Sequence, residues 1–323
     1  MTKELIKDHW GLSDIPNLRG NLAVVTGATG GLGYETALGL AQAGAEVILA
    51  GRNSQKGADA LSRIRAVTPG AKIRFELVDL ASLASVRAFC GRLLANGNPI
   101  HILVNNAAVM ANPTRETTAD GFELQLGTNY LSHFALTASL VPLLVQGARV
   151  VSVSSGAHLH GKIHFDDLQS ERKYSPWAAY CQSKLAMLLF ALELHRRSEA
   201  NGWGLLSNAA HPGYARTDLI ANGPGAKSAM GSMHSSIGKW MSHSAAAGAL
   251  PILFAATAPE ARPGGYYGPN GFMEIKGPVG PAKIAHAAQD ADLAQHLWEI
   301  SEKLTGAEWS TARTFARNEV AAR

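Results

Sequence analysis

Cysteine is scarce in this chain: Cys90 and Cys181 are the only two in 323 residues. Two thiols cannot build a disulfide framework, and they lack the paired spacing of a zinc site. Both fit a reducing compartment, so a cytoplasmic location is expected. Charged residues make up 17% of the sequence and aromatic ones 7%, against 46% hydrophobic residues. That balance excludes a disordered chain and a collagen-like one, and describes a soluble globular protein with a large core. Long hydrophobic runs are also missing. No segment reaches the roughly 18 uninterrupted apolar residues of a membrane span, and the opening MTKELIKDHWGLSDIP has no run of signal-peptide type. The 29 Lys and Arg exceed the 25 Asp and Glu, giving a formal net charge of +4. They are spread along the chain without the stripe that a phosphate backbone requires, so nucleic acid is not an expected partner.

What is present is a rhythm. Short apolar runs, each of a length to be buried on both faces of a parallel sheet, alternate with helix-period segments. LAVVT (22–26), EVILA (46–50), KIRFELV (72–78), HILVN (101–105), RVVSVS (149–154) and GLLSNAA (204–210) are the expected strands. Between them lie YETALGLAQAG, SLASVRAFCGRLLANG and YCQSKLAMLLFALELHRRS, several stopped by Gly. Repeated strand-helix-strand predicts an α/β fold, a doubly wound parallel sheet of Rossmann type. No composition break divides it, so a single domain is expected over 21–323 after a leader (1–20). An interruption is expected around 157–176, a substrate flap over 218–245, and a C-terminal extension (262–323) that starts as a Gly/Pro-rich tail (262–283) and ends in a helix.

Directly after the first strand comes TGATGGLG, and then a helix begins. A glycine-rich turn alone reports only backbone demands. In this order, strand then loop then helix, it is the place where backbone N–H groups and a helix N-terminus receive a pyrophosphate. Further along, Tyr180 and Lys184 stand four apart in YCQSK, on one face of an expected helix. A free phenol has a pKa near ~10, and a neighbouring ammonium and an oxidised nicotinamide would favour its ionised form. Tyr180 can then serve as general base or general acid.

These motifs together resemble the short-chain dehydrogenase/reductase family over about residues 20–260: Thr26-Gly27-x-x-x-Gly31-x-Gly33 is similar to its cofactor loop, NNAA (105–108) to its Asn-Asn-Ala-Gly turn, and YCQSK to its Tyr-x-x-x-Lys. RVVSVSSGAHLHGKIHFDDLQ, AAYCQSKLAMLLFALEL and HPGYARTDL resemble the branch of retinol dehydrogenases and WW-domain oxidoreductases. Ala108 departs from the family's Gly, and the membrane anchor of many retinol dehydrogenases is not expected here.

The resemblance implies a catalytic set of Asn129, Ser155, Tyr180 and Lys184, with Lys184 also holding the nicotinamide ribose and Asn129 linking a water to that lysine. Adjacent strand residues point to opposite faces, so a slip of one would make the serine Ser154. Around the cofactor the resemblance implies Gly27, Thr29, Gly31, Leu32 and Gly33, then Arg52, Asp79 and Leu80, then Asn106 and Ala107, then Tyr180, Lys184, Pro212, Gly213 and Thr217. The cofactor expected is NADP(H), because the second strand ends in Gly51 and Arg52. An acid there would accept from the 2′-hydroxyl of NAD and repel the 2′-phosphate of NADP, whereas a guanidinium offers a fork of donors to that phosphate.

The expected activity is hydride transfer between NADP(H) and a secondary alcohol or ketone, a hydrophobic one, with aldehydes also open. Two alternatives stand beside it: a carbon-carbon double-bond reductase of protochlorophyllide-reductase type, and a non-enzymatic NADP(H)-binding redox sensor. A homo-oligomer is left open. No metal is expected: His158, His160 and His164 fit neither a helix face nor a zinc finger and are read as loop histidines. Cys181 is read as a packing residue. Met230, Met233, Trp240 and Met241 are read as part of the flap over an apolar substrate.

Overall fold

The computed structural model describes residues 9–214 and 243–309. All six expected strands form: β1 Leu22–Thr26, β2 Glu46–Gly51, β3 Ile73–Leu77, β4 Ile100–Asn105, β5 Leu144–Val153 and β6 Leu206–Ala210. Two more, β7 Tyr266–Pro269 and β8 Val279–Pro281, extend the sheet into the stretch expected to be a tail. They are short and rich in Gly and Pro, which is why they do not read as strands. The order is β3-β2-β1-β4-β5-β6-β7-β8, parallel throughout except for the antiparallel β7–β8 pair. Register brings Thr26 beside Ala50, Asn105 beside Ser152 and Val153 beside Ala210, so the chemistry-bearing strand ends lie along one edge.

Alternation along the strands fills two cores. Val24, Ile48, Leu103 and Val150 face one side; Val25, Leu49, Val104 and Val151 face the other. Helices α1 Gly31–Gln42 and α2 Ser54–Val67 cover one face. The other carries α3 Leu83–Asn96 and a helix that runs from α4 Leu124–Leu126 through a π-turn, Gly127–Leu131, into α5 Ser132–Leu140. Next comes α6 Pro176–Ala200, started by the Ser175 side chain and by Pro176 in its first turn. Then α7 Ala245–Thr257 packs on α1, and α8 Ala291–Thr305 on α6.

The leader and the extension are not trimmings. Trp10 packs edge-to-face on Phe254 with centroids 5.3 Å apart, and Leu18 joins the same core. At the other end Trp309 stacks on Trp203 at 5.8 Å. An isolated Trp in a polar stretch has no periodicity to announce it. Thr217 and the flap residues Met230, Met233, Trp240 and Met241 lie outside the described residues; Ser244 already caps α7.

Candidate active site

The cleft at the strand ends is lined by Gly27, Thr29, Gly31, Leu32, Gly33, Arg52, Asp79, Leu80, Asn106 and Ala107, all expected there, and also by Lys56 and Thr128. Its floor leaves no room for side chains. A Cβ on Gly33 would stand 2.3 Å from the Gly27 oxygen, and Gly27 itself is left-handed at φ +67°. Gly30, at the N-cap of α1, supplies no capping side chain, so the first turn presents backbone N–H groups to the cleft. Asn106 donates its side-chain N–H to the Thr26 carbonyl at 2.8 Å, fixing the β4 turn against β1. Asp79 spends one carboxylate oxygen on the Ala81 N–H at 3.0 Å. A larger cleft, about 560 Å³, opens at the opposite strand ends around Arg19, Thr68 and Lys72, away from all of these groups.

Past Val109, which lines one end of the cleft, Met110 packs against Tyr180, and there Ser155, Tyr180 and Lys184 lie together. The Ser155 hydroxyl, which accepts the Ala157 N–H at 3.2 Å, lies beside the Tyr180 phenol and favours its ionised form. Ser154 points elsewhere, donating to the Lys184 carbonyl at 2.7 Å, and Ser155 is the serine on the Tyr180 side. Lys184 donates Nζ–H to the Val153 carbonyl at 2.9 Å and stands 5.8 Å from the centroid of the Tyr180 ring. Burial acts on both groups. It pushes the Tyr180 phenol up to about 12, with the Ser155 hydroxyl opposing, and the Lys184 ammonium down to about 8. In the protein alone burial is the largest influence on the phenol; the expected ionised form draws on the oxidised nicotinamide as well as on the lysine.

Asn129 sits in the π-turn with its amide occupied. Oδ1 accepts from the Val109 N–H at 2.7 Å, and Nδ2 donates to the Val109 carbonyl and to Ser183 Oγ, each at 2.9 Å. It clamps the chain beside the cleft. Pro212 and Gly213 are held from below: the Pro212 carbonyl lies 2.7 Å from His243 Nε2, and the Gly213 N–H donates to His211 Nδ1 at 3.2 Å. His211 Nε2 in turn lies 3.2 Å from the Glu274 carboxylate, which it holds below the usual carboxylate range.

Sequence reasoning missed several of these groups. His158 is no loop histidine: it is fully buried, accepts the Ala285 N–H at Nε2 and so donates from Nδ1 to the Ser155 carbonyl at 2.6 Å. His160 and His164 are exposed. His133, four residues beyond Asn129, had a visible signal in that helical spacing. His211 and Glu274 had none, being 63 positions apart. Cys181 is buried and its thiol pushed up to about 11, as a packing residue would be.

The family model for short chain dehydrogenases matches residues 21–225. The chain belongs to the short-chain dehydrogenase/reductase family. This short-chain dehydrogenase is 41% identical over 300 residues to a polyprenol dehydrogenase of Mus musculus, covering 91% of this chain and 86% of the relative. It is 40% identical over 302 residues to human retinol dehydrogenase 12, covering 90% and 88%. The crystal structure of an uncharacterised protein from Mycobacterium Paratuberculosis superposes with a TM-score of 0.77 at 39% identity, covering 93% of this chain and 99% of that one. The Pseudomonas aeruginosa RhlG/NADP active-site complex superposes with a TM-score of 0.58 at 28% identity, covering 77% and 94%.

Proposed function

We propose that this oxidoreductase moves a hydride between NADP(H) and a hydrophobic secondary alcohol or ketone, an aldehyde being the less substituted variant. The observation that carries this reading is the convergence of Ser155, Tyr180 and Lys184 at the end of a glycine cleft that has no room for a Cβ. When bound, the dinucleotide supplies or accepts the hydride at its nicotinamide.

The protein's residues handle the oxygen. Ser155 Oγ holds the substrate oxygen, and Tyr180, kept protonated by burial, gives its proton to that oxygen as it gains charge during reduction. In oxidation Tyr180 takes the proton back, which requires nearby positive charge: the Lys184 ammonium and the oxidised nicotinamide. Asn129, through the backbone it clamps, keeps the lysine end of this relay in place.

Arg52 supports the choice of NADP(H). It is exposed, follows a strand end without an acid, and has no partner among the described residues; Lys56 lines the same end of the cleft. The site is apolar around Tyr180: Trp177, 43% exposed, leans on its ring with centroids 5.8 Å apart, and Met110 packs on the same patch. The relatives' names support the apolar substrate and, since polyprenol and retinol are primary isoprenoid alcohols, the aldehyde variant of it.

Oxidation of reduced dinucleotide with a panel of bulky and small ketones, aldehydes and activated alkenes tests this. The expected result is NADPH-dependent reduction of bulky apolar carbonyl compounds. Turnover confined to alkenes, or no turnover with any member, would overturn it.

A further inference from the structure

His133 lies on α5 one helical turn beyond Asn129 and is fully buried. Its Nε2 stands 2.9 Å from Thr26 Oγ1 at the end of β1, and its Nδ1 2.8 Å from the main-chain oxygen of Asn129. The partners assign its protons. Thr26 Oγ1 already accepts the N–H groups of Asn106 and Ala107, at 2.9 and 3.1 Å. A hydroxyl has two lone pairs and one proton, so only the proton remains to be offered. The nearer acceptor is His133 Nε2, since the Val104 carbonyl lies at 3.3 Å. Nε2 therefore accepts, and Nδ1 carries the ring proton and donates it to the Asn129 oxygen. A second ring proton at Nε2 would face a hydroxyl with no free lone pair. Burial and the nearby Lys184 ammonium also oppose it, pushing the imidazole down to about 4.

The arrangement spans three segments that must agree in position. Through Thr26 the ring touches the end of the strand that feeds the glycine loop, and through the same hydroxyl the Asn106–Ala107 turn that lines the cleft. Through Nδ1 it fixes the main-chain oxygen of a residue in a π-turn, where the carbonyls depart from the α-helical ladder. The Asn129 side chain is already committed, Oδ1 accepting the Val109 N–H and Nδ2 donating to Val109 and Ser183, which leaves the main-chain carbonyl to serve the relay.

We propose that His133 is a positioning residue, a neutral single-tautomer imidazole that locks the Asn129 carbonyl to the cofactor loop and so holds the relay and the dinucleotide cleft in one register. This rests on the reading of Asn129, Tyr180 and Lys184 given under Proposed function.

Three variants separate the two contacts. His133→Asn places an N–H where Nδ1 stands and leaves the Thr26 hydroxyl proton only the Val104 carbonyl at 3.3 Å; His133→Gln reaches toward Thr26 and releases the Asn129 carbonyl; His133→Leu loses both. Dissociation constants for NADPH, from quenching of tryptophan fluorescence, are measured beside kcat and Tm. His133→Asn should weaken NADPH binding about 3- to 10-fold, the worth of one net hydrogen bond, with kcat within about twofold. His133→Gln should lower kcat about 10-fold with binding within about twofold, and His133→Leu should show both effects. Loss of Tm with binding and kcat unchanged in all three, or the same change in Asn and Gln variants, would overturn the proposal. Imidazole nitrogen shifts in the unsubstituted protein give an independent check. They should show a ring protonated at Nδ1 that does not titrate between pH ~5 and ~8; the opposite tautomer or ordinary titration would overturn it. A Tyr180→Phe control tells the two readings apart. If it keeps turnover, the mechanism itself fails; if it is inactive while the His133 variants behave as the parent, only this inference fails.

Discussion

On the Tyr180 side of the cleft, Tyr180 and Lys184 are buried, the lysine donating to the Val153 carbonyl; at the far end, the Arg52 and Lys56 side chains reach into solvent with no partner among the described residues. The buried end is organised before any ligand arrives, and a group there acts in a low dielectric where its field is strong. The exposed end can only add affinity, screened by water and salt. Substitutions at the first should therefore fall on kcat, and at the second on the KM of the dinucleotide.

The largest effect is expected from Tyr180→Phe, which removes the proton donor and leaves the ring, Lys184 and the glycine turn to hold the dinucleotide. Turnover should fall by ~10²- to 10⁴-fold, with NADPH binding nearly unchanged in a direct titration. Comparable turnover would erase the distinction between the two ends. Next comes Ser155→Ala, expected to lower kcat/KM by ~10²-fold. Ser154→Ala, which loses a bond to the Lys184 carbonyl, should chiefly cost about 1 kcal/mol of stability, read from denaturant unfolding. The reverse pattern would mean that Ser154 meets the substrate.

At the exposed end, Arg52→Ala should raise the KM for NADPH by roughly one to two decades, leave kcat and NADH kinetics alone, and weaken the salt dependence of NADPH use. Gly51→Asp should shift preference toward NADH, with some loss of stability because a Cβ there stands 3.2 Å from the Thr29 methyl. Equal use of both cofactors by the unsubstituted protein would reduce Arg52 to a solvated charge.

The smallest effect concerns stability. Lys184 is depressed to about 8 in the folded protein from an ordinary 10.5. Between those values the unfolded chain binds more protons, so this group's contribution to stability rises with pH across that window and its burial penalty is complete below it. Lys184→Met should therefore be most stabilising, relative to the parent, below pH 8, and the gain should shrink toward pH 10.5. Denaturant midpoints measured for both proteins across that range check the sign; a gap that widens with pH would contradict it.

The six long parallel strands and the glycine turn were legible because apolar length and glycine placement are local signals. Tyr180 and Lys184 were legible because one helical turn joins them. β7 and β8 were hidden by their Gly and Pro, and Trp10 and Trp309 by being single apolar residues in polar company. The burial that raises the Tyr180 phenol was not legible, because it depends on everything packed around the ring, whereas the neighbouring lysine is visible in the sequence. His133, His158 and His211 act through partners as far off as Thr26, Ala285 and Glu274, pairings that only the assembled sheet creates. Ser154 and Ser155 could not be told apart in the sequence because their facing is set by the assembled strand, where Ser154 donates to the Lys184 carbonyl.

The most direct test of the account follows the hydride itself. An apolar α,β-unsaturated ketone offers a carbonyl and an alkene in one molecule, and NADPH deuterated on the transferring carbon of its nicotinamide marks which of them is reduced. Mass spectrometry and proton NMR of the product should find an allylic alcohol with deuterium on the carbinol carbon, and should find none when Tyr180 is replaced by Phe. Deuterium on a carbon of a saturated ketone, or a product without deuterium, would contradict the central claim.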